Sequence, residues 1–308
     1  KEASKYAFAL SEQITVPVML RTTTRVNHAR EAVSFAKLPK AKTKVEFKKD
    51  PFRFVTVPAV SRQLHLRLLK VYEQAQAVSE ASELNQVIGK GKLGVITSGV
   101  AANYVFDALN DLDAVGKVKV LKLGLTWPLP EKMILKFLKS CDKVLVVEEL
   151  EPLMENAARA LAQENGVKVK IAGKGPKLFS RAYEFNPRLV RDVIGHHFGF
   201  KYKATKALDL ADQPALPGRP PTLCPGCPHR ATYYAVKEVV GTSAIHPTDI
   251  GCYTLGMLPP ISMADFVICM GSSVSSSGGF ARATGQKVVS FIGDSTFFHS
   301  GITGLVNA

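Results

Sequence analysis

The chain has 308 residues, with 40 Lys and Arg against 26 Asp and Glu, a formal net charge of +14. No run of about eighteen apolar residues occurs, which excludes a membrane-spanning helix, and no secretory leader pattern stands at the start. The five cysteines are Cys141, Cys224, Cys227, Cys252 and Cys269; an odd set with one close pair argues against a secreted disulfide framework and for a reducing cytoplasm. So basic a chain suggests nucleic acid, yet the lysines are scattered over predicted helix faces and linkers. The densest run (Lys37, Lys40, Lys42, Lys44, Lys48, Lys49) has only Phe35 and Phe47 as aromatic neighbours. A solvated linker, or a face for an acidic protein partner, accounts for it better.

A helical pattern at Tyr6, Ala9 and Leu10 opens the chain, followed by a strand over Val16–Leu20 and a loop. Residues 1–38 therefore read as the closing piece of a sheet that lies upstream, because one helix and one strand bury no core alone. Arg21, Arg25 and His28 either face a substrate carboxylate or lie in solvent. Residues 39–87 read as a bridge whose amphipathic helix carries Leu64, Leu68, Val71 and Tyr72. Strand-type runs at Leu93–Thr97, Val118–Leu121, Val144–Val147 and Val167–Ile171 alternate with helical ones at Ala101–Leu109, from Pro130 and from Pro152. That alternation predicts a parallel α/β sheet over residues 88–200. Glu148 and Glu149, after the third strand, are either functional or cap the helix behind Pro152. No Gly-x-Gly-x-x-Gly follows Ser98-Gly99. Residues 176–220 read as a connector, its end (201–220) a Pro-rich linker stiffened by Pro214, Pro217, Pro220 and Pro221.

Residues 221–308 form the last unit. Cys224-Pro225-Gly226-Cys227-Pro228-His229-Arg230 opens it, and a helix over Ala231–Val239 follows. Gly251-Cys252-Tyr253 comes next, then a strand from Phe266 to Met270. The small-residue loop Gly271–Gly279 leads to a second helix from Gly279, and Gly271, Ser272 and Ser273 offer amides and hydroxyls to phosphate oxygens. A buried strand at Lys287–Ile292 ends in Gly293-Asp294-Ser295, followed by helical spacing at Gly301, Ile302, Leu305 and Val306. A carboxylate past the carboxyl end of a strand lies where open α/β sheets bind ligands. Asp294 there is placed to hold Mg²⁺, and Gly293 lets a diphosphate approach. The Cys-x-x-Cys admits zinc, iron–sulfur or redox readings. Cys224, Cys227 and His229 are crowded for zinc, and a thioredoxin-like pair should follow a strand rather than a Pro-rich linker. Cys269 reads as core.

Three blocks, Cys224–Arg230, Asp249-Ile250-Gly251-Cys252-Tyr253 and Gly293–Gly301, stand in an order that resembles the thiamine-diphosphate-dependent 2-oxoacid:ferredoxin oxidoreductases. The likeness is greatest to alpha subunits of the indolepyruvate type. Ser295 departs from the wider Gly-Asp-Gly pattern but suits this branch. Leu123–Pro130 and Val147-Glu148-Glu149 resemble the same family's transketolase C-terminal-like domain. The resemblance implies that residues 1–38 end a pyrimidine-binding domain, that 88–200 are the transketolase C-terminal-like domain, and that 221–308 begin the diphosphate-binding domain. It implies an internal fragment of a longer polypeptide, inactive alone, with the activating Glu upstream and the motif's closing Asn and a ferredoxin-like tail downstream. For the cofactor it implies contacts from Gly251, Cys252, Tyr253, Gly271, Ser272, Ser273, Gly293, Asp294 and Ser295, with Mg²⁺ on Asp294. His299 becomes a candidate for contact with substrate or cofactor. Cys224, Cys227 and Cys252 match three ligands of a proximal [4Fe–4S] cluster. The implied reaction is coenzyme A-dependent oxidative decarboxylation of aryl pyruvates, with ferredoxin reduced and a beta subunit as partner. The readings that compete are a thiamine-dependent decarboxylase or synthase without iron–sulfur, and a basic Cys-x-x-Cys module for zinc or nucleic acid.

Overall fold

Four helices precede the first strand in the computed structural model, which describes residues 2–35, 47–202 and 217–308. They are α1 (Glu2–Ile14), α2 (Thr24–Asn27), α3 (Pro51–Phe54) and α4 (Pro58–Ala81). The strand predicted at Val16–Leu20 does not form. Among the described residues its apolar run finds no neighbouring strand to pair with, and an unpaired strand leaves its backbone polar groups unsatisfied. Val16 and Val18 instead pack with Leu10 and Ile14 of α1 against Val71 of α4. The stripe predicted on α4 is only partly covered, since Leu68 and Tyr72 remain exposed. Arg25 reaches Glu184 at 3.1 Å on the surface and lies over the Tyr104 ring, while Arg21 and His28 are exposed. Most of the lysine run, like Pro214 of the linker, falls outside the described residues.

The sheet holds β1 (Gln86–Ile88), β2 (Leu93–Ser98), β3 (Val118–Leu123), β4 (Lys143–Val147) and β5 (Lys170–Ala172) in the order β1-β3-β2-β4-β5. All neighbours are parallel except the edge pair β1–β3. Alternate side chains of a strand face opposite sides, so the sheet carries two cores. Val95, Val120, Leu145 and Val147 face α5 (Gly99–Asp111) and α8 (Pro187–Phe198). Ile96, Leu121, Val144 and Val146 face α6 (Glu131–Lys139) and α7 (Leu153–Glu164). Each such fully buried side chain contributes about 1.5–3 kcal/mol. The helix α8 stands where the sequence reads as connector. Its Asn186 side chain accepts from Leu189 N at 2.9 Å, Pro187 fills its first turn, and Gly199 closes it at φ +77°.

Glu148 is a capping residue: its carboxylate accepts from Met154 N and Glu155 N, both at 2.9 Å, at the start of α7. Burial nevertheless holds its pKa above the ordinary carboxylate value. Glu149 accepts from Phe185 N at 2.8 Å. Both acids therefore serve backbone closure here.

Residues 1–207 and 208–308 form two compact units. The second contains α9 (Pro228–Val240), a 3₁₀ turn at Cys252–Met257, α10 (Ser272–Thr284), α11 (Asp294–Thr296), a π turn at Phe297–Gly301 and α12 (Ile302–Asn307). Its core gathers Leu223, Tyr233, Met263 and Phe291, with Tyr253 and Val289 beside them.

Candidate functional site

Three extended segments of the second unit run side by side. Ile245 N donates to Lys287 O, Val289 N to Ile245 O and Phe291 N to Pro247 O, each at 2.9 Å. On the other side Asp265 N donates to His246 O at 2.9 Å and Thr248 N to Phe266 O at 3.0 Å. The bridges on both sides are parallel. Residues 245–248 are thus the middle rail, and all three segments end on one rim. The expected strands at Phe266–Met270 and Lys287–Ile292 are reduced to these isolated bridges, because each bonds to the rail over only two or three residues. At the ends of the three segments stand Asp249, Gly271 and Gly293-Asp294.

Asp249 is fully buried and ties that rim together. Its carboxylate accepts from Gly271 N (2.9 Å), Ile250 N (3.0 Å), Ser273 N (3.0 Å) and Ser273 Oγ (2.7 Å). A carboxylate at a helix N-terminus satisfies amides that have no partner within the helix. So α10 begins directly after Gly271, at Ser272, seven residues before its predicted start at Gly279. Its first turn is capped by a side chain of the protein, where the sequence led us to expect a phosphate. Ser272 Oγ turns inward as well, accepting from Cys269 N at 3.2 Å. Gly271 is required twice over. Its φ is +86°, and a Cβ there would lie 2.8 Å from Ser300 O.

The other predicted contacts face outward. Gly251, Cys252, Asp294, Ser295 and His299 are exposed, and a Cβ added at Gly251 or Gly293 would meet nothing within 4 Å. Asp294 Oδ1 accepts from Ser295 N at 2.8 Å, and among the described residues Oδ2 has no bond. Thr296 Oγ1 donates to Ile250 O at 3.3 Å, holding the Asp294 turn to the Asp249 loop. His299 lies in the π turn, a distortion that often accompanies functional positions. An exposed rim with a carboxylate oxygen that bonds none of the described residues fits Mg²⁺, which keeps most of its ligands from water and phosphate.

The three cysteines matched to cluster ligands are not gathered in this structure. Among the described residues no three His, Cys, Asp or Glu side chains are grouped as a metal site requires. Cys224 and Cys252 are exposed thiols, and Cys227 Sγ lies 3.2 Å from His229 Nδ1. Cys269 is exposed rather than core. A cluster needs its thiolates on one point, and the described residues show no such grouping.

Tyr253 is half-buried beneath the rim. Its carbonyl accepts from the fully buried Tyr233 hydroxyl at 2.6 Å, and burial pushes the Tyr233 pKa up to about 12.

Residues 249–308 match the family of thiamine pyrophosphate enzymes, C-terminal TPP binding domain. The match begins at Asp249 and covers every loop that meets on the rim. The whole chain is 45% identical, over 316 residues, to indolepyruvate oxidoreductase subunit IorA of Methanothermobacter thermautotrophicus. It is 40% identical over 333 residues to the subunit of the same name from Thermococcus kodakarensis. The chain is a homologue of these subunits along its whole length. It spans about half of theirs, 50% and 51%. A solved 2-oxoglutarate:ferredoxin oxidoreductase from Magnetococcus marinus aligns with 46% of the chain and 23% of its own, at 23% identity and a TM-score of 0.32.

Asp249 stood in the sequence only as the first residue of the block Asp249-Ile250-Gly251-Cys252-Tyr253, with no role of its own, because nothing local distinguishes a carboxylate that bonds the amides of Gly271 and Ser273.

Proposed function

We propose that this chain is part of the alpha subunit of an indolepyruvate ferredoxin oxidoreductase, and that its second unit contributes the diphosphate end of the thiamine site. The observation that carries the reading is the coincidence of the matched residues 249–308 with the loops that converge on Asp249. When bound, thiamine diphosphate supplies the electron sink for decarboxylation of a 2-oxoacid. Asp294 contributes a Mg²⁺ ligand through Oδ2. Gly251, Gly293 and Ser295 let the phosphates approach, Gly271 and Ser273 hold the second layer through Asp249, and Ser272 holds it through Cys269 N. Tyr253 and Cys252 border the cofactor, and His299 contacts substrate or cofactor from the π turn. No iron–sulfur step is assigned to these residues.

The whole enzyme, with its beta subunit, converts an aryl pyruvate and coenzyme A to an aryl-acetyl-CoA and CO₂, and passes two electrons to ferredoxin in the cytoplasm. The full-length subunit, assembled with its partner and thiamine diphosphate, should reduce ferredoxin only when indolepyruvate and coenzyme A are both supplied. Equal reduction with pyruvate or 2-oxoglutarate would overturn the substrate assignment, and turnover without coenzyme A would overturn the reaction type.

A further inference from the structure

The loop that leaves the middle rail bonds both of its neighbours on the rim, and its base is closed by one hydroxyl. Residues 248–253 pass from Thr248 through Asp249, Ile250 and Gly251 into the 3₁₀ turn that starts at Cys252. Tyr233, in the second turn of α9, is fully buried. Its hydroxyl lies 2.6 Å from Tyr253 O and 3.2 Å from Thr248 Oγ1, the two ends of that loop. A carbonyl only accepts, so the Tyr233 proton points at Tyr253 O, and Thr248 Oγ1 donates to Tyr233 Oη. The two bonds therefore run in one direction, from Thr248 to Tyr233 to Tyr253.

The ring is fixed as well as the hydroxyl. It stands 4.3 Å from the Phe291 ring and 5.3 Å from the Tyr253 ring, centroid to centroid, and a Cβ on Gly256 would overlap it. What the loop holds depends on where its base lies. Asp249 caps α10 through Gly271 N and Ser273 N, and Ile250 O accepts from Thr296 Oγ1 beside the Asp294 turn. The tip, by contrast, is open: Gly251 and Cys252 are exposed, and Gly251 has φ +126° with nothing within 4 Å of an added Cβ. Ordering a loop costs backbone entropy at every residue, so a loop with an open tip keeps its shape through its base.

We propose that Tyr233 is a positioning residue whose hydroxyl pins the loop 248–253 and so sets Gly251 and the Asp294 turn in place for a diphosphate. Being fully buried, Tyr233 acts through Thr248 and Tyr253 rather than on a ligand. The inference rests on the reading of this rim as the diphosphate end of a thiamine site, while the pin itself is a property of the chain.

The test uses the full-length subunit assembled with its partner, as wild type and as Tyr233→Phe, Thr248→Val and Val236→Ala. The first variant deletes the hydroxyl and keeps the ring, and the second removes only the donor to it. The third loosens α9 against the same core without touching either bond. Amide hydrogen exchange is mapped by mass spectrometry without ligand, and thiamine diphosphate is titrated with Mg²⁺ by calorimetry. In Tyr233→Phe, exchange across residues 250–255 should quicken and the affinity should fall, each by roughly five- to tenfold, as the loss of one buried hydrogen bond implies. Exchange in α9 and α10 should stay as in the wild type. Thr248→Val should give the same pattern more weakly, and Val236→Ala should lower the unfolding midpoint with neither effect. Unchanged exchange at 250–255 in Tyr233→Phe, a rise shared by α9 and α10, quickened exchange at unchanged affinity, or the same pattern in Val236→Ala would overturn the proposal. A wild type that binds no thiamine diphosphate would refute the diphosphate reading instead, and the exchange map would still decide whether Tyr233 pins the loop.

Discussion

Four hydrogen bonds converge on one carboxylate at Asp249, so the residue scale can be tested there. Asp249→Asn keeps the shape but replaces an acceptor oxygen with an NH₂ group that faces amide donors. A loss of about 2–3 kcal/mol is expected, the cost of buried donors left without a partner. Urea denaturation would measure it, and a loss under about 0.5 kcal/mol, the range of ordinary surface changes, would deny Asp249 its role. Glu148 offers a test of opposite sign. Burial raises its pKa above 4.5 in the folded chain despite two amide donors. A carboxyl with a raised folded pKa stabilises while protonated, so its contribution is full at pH values below 4.5 and is lost as pH rises through the folded value. In Glu148→Gln that part of the pH dependence should vanish from the stability profile, and its persistence would assign the slope to another group.

Whether an apolar run becomes an element depends on what lies beside it. The runs at residues 93, 118 and 144 became β2, β3 and β4 because each finds a parallel neighbour over five or six residues. Val16–Leu20 and Phe266–Met270 have the same composition but lack such a ladder, and no local pattern reports a missing neighbour. The helix α8 is a different case, for its signals were present: Asn186 before Pro187, apolar Leu189, Val190, Val193 and Ile194, and Gly199 after the last turn. The nearby prolines and positive residues obscured them. Because the Asn186 side chain supplies the first amide acceptor, Asn186→Ala should cost about 1 kcal/mol. Thermal unfolding of the variant checks it, and an unchanged midpoint would mean that the packing of α8 on α5 fixes its start unaided. The same limit applies to the site. Asp294 and Gly293 were legible as residues after a strand, whereas the Asp249 link across the rim is a contact between distant segments.

Acid response belongs to the whole molecule, where His197 and His246 act in one direction against Glu148. Burial lowers His197 from 6.5 to about 4, and its Nε2 has no hydrogen-bond partner among the described residues. His246 is also lowered by burial, with Asp265 opposing, and its Nε2 lies 3.3 Å from Gly241 O. A histidine held neutral in the fold contributes stability above its unfolded pKa and loses it as pH falls toward the folded value. Stability should therefore decline between pH 6.5 and about 4, and His197→Phe should flatten that slope. An unchanged slope in the variant would remove His197 from the account. Under the proposed function, the net charge of +14 predicts that the association rate with an acidic electron carrier falls as ionic strength rises. The central claim, that the rim around Asp249 binds the diphosphate of a thiamine cofactor through metal on Asp294, is tested most directly by calorimetry. Thiamine diphosphate is titrated with Mg²⁺ present into the full-length subunit and into its Asp294→Asn variant. The account predicts magnesium-dependent binding that weakens in the variant by about 2 kcal/mol or more, as expected for the loss of a charged ligand contact, with an unchanged unfolding midpoint without ligand. Equal affinity in the two proteins would contradict it.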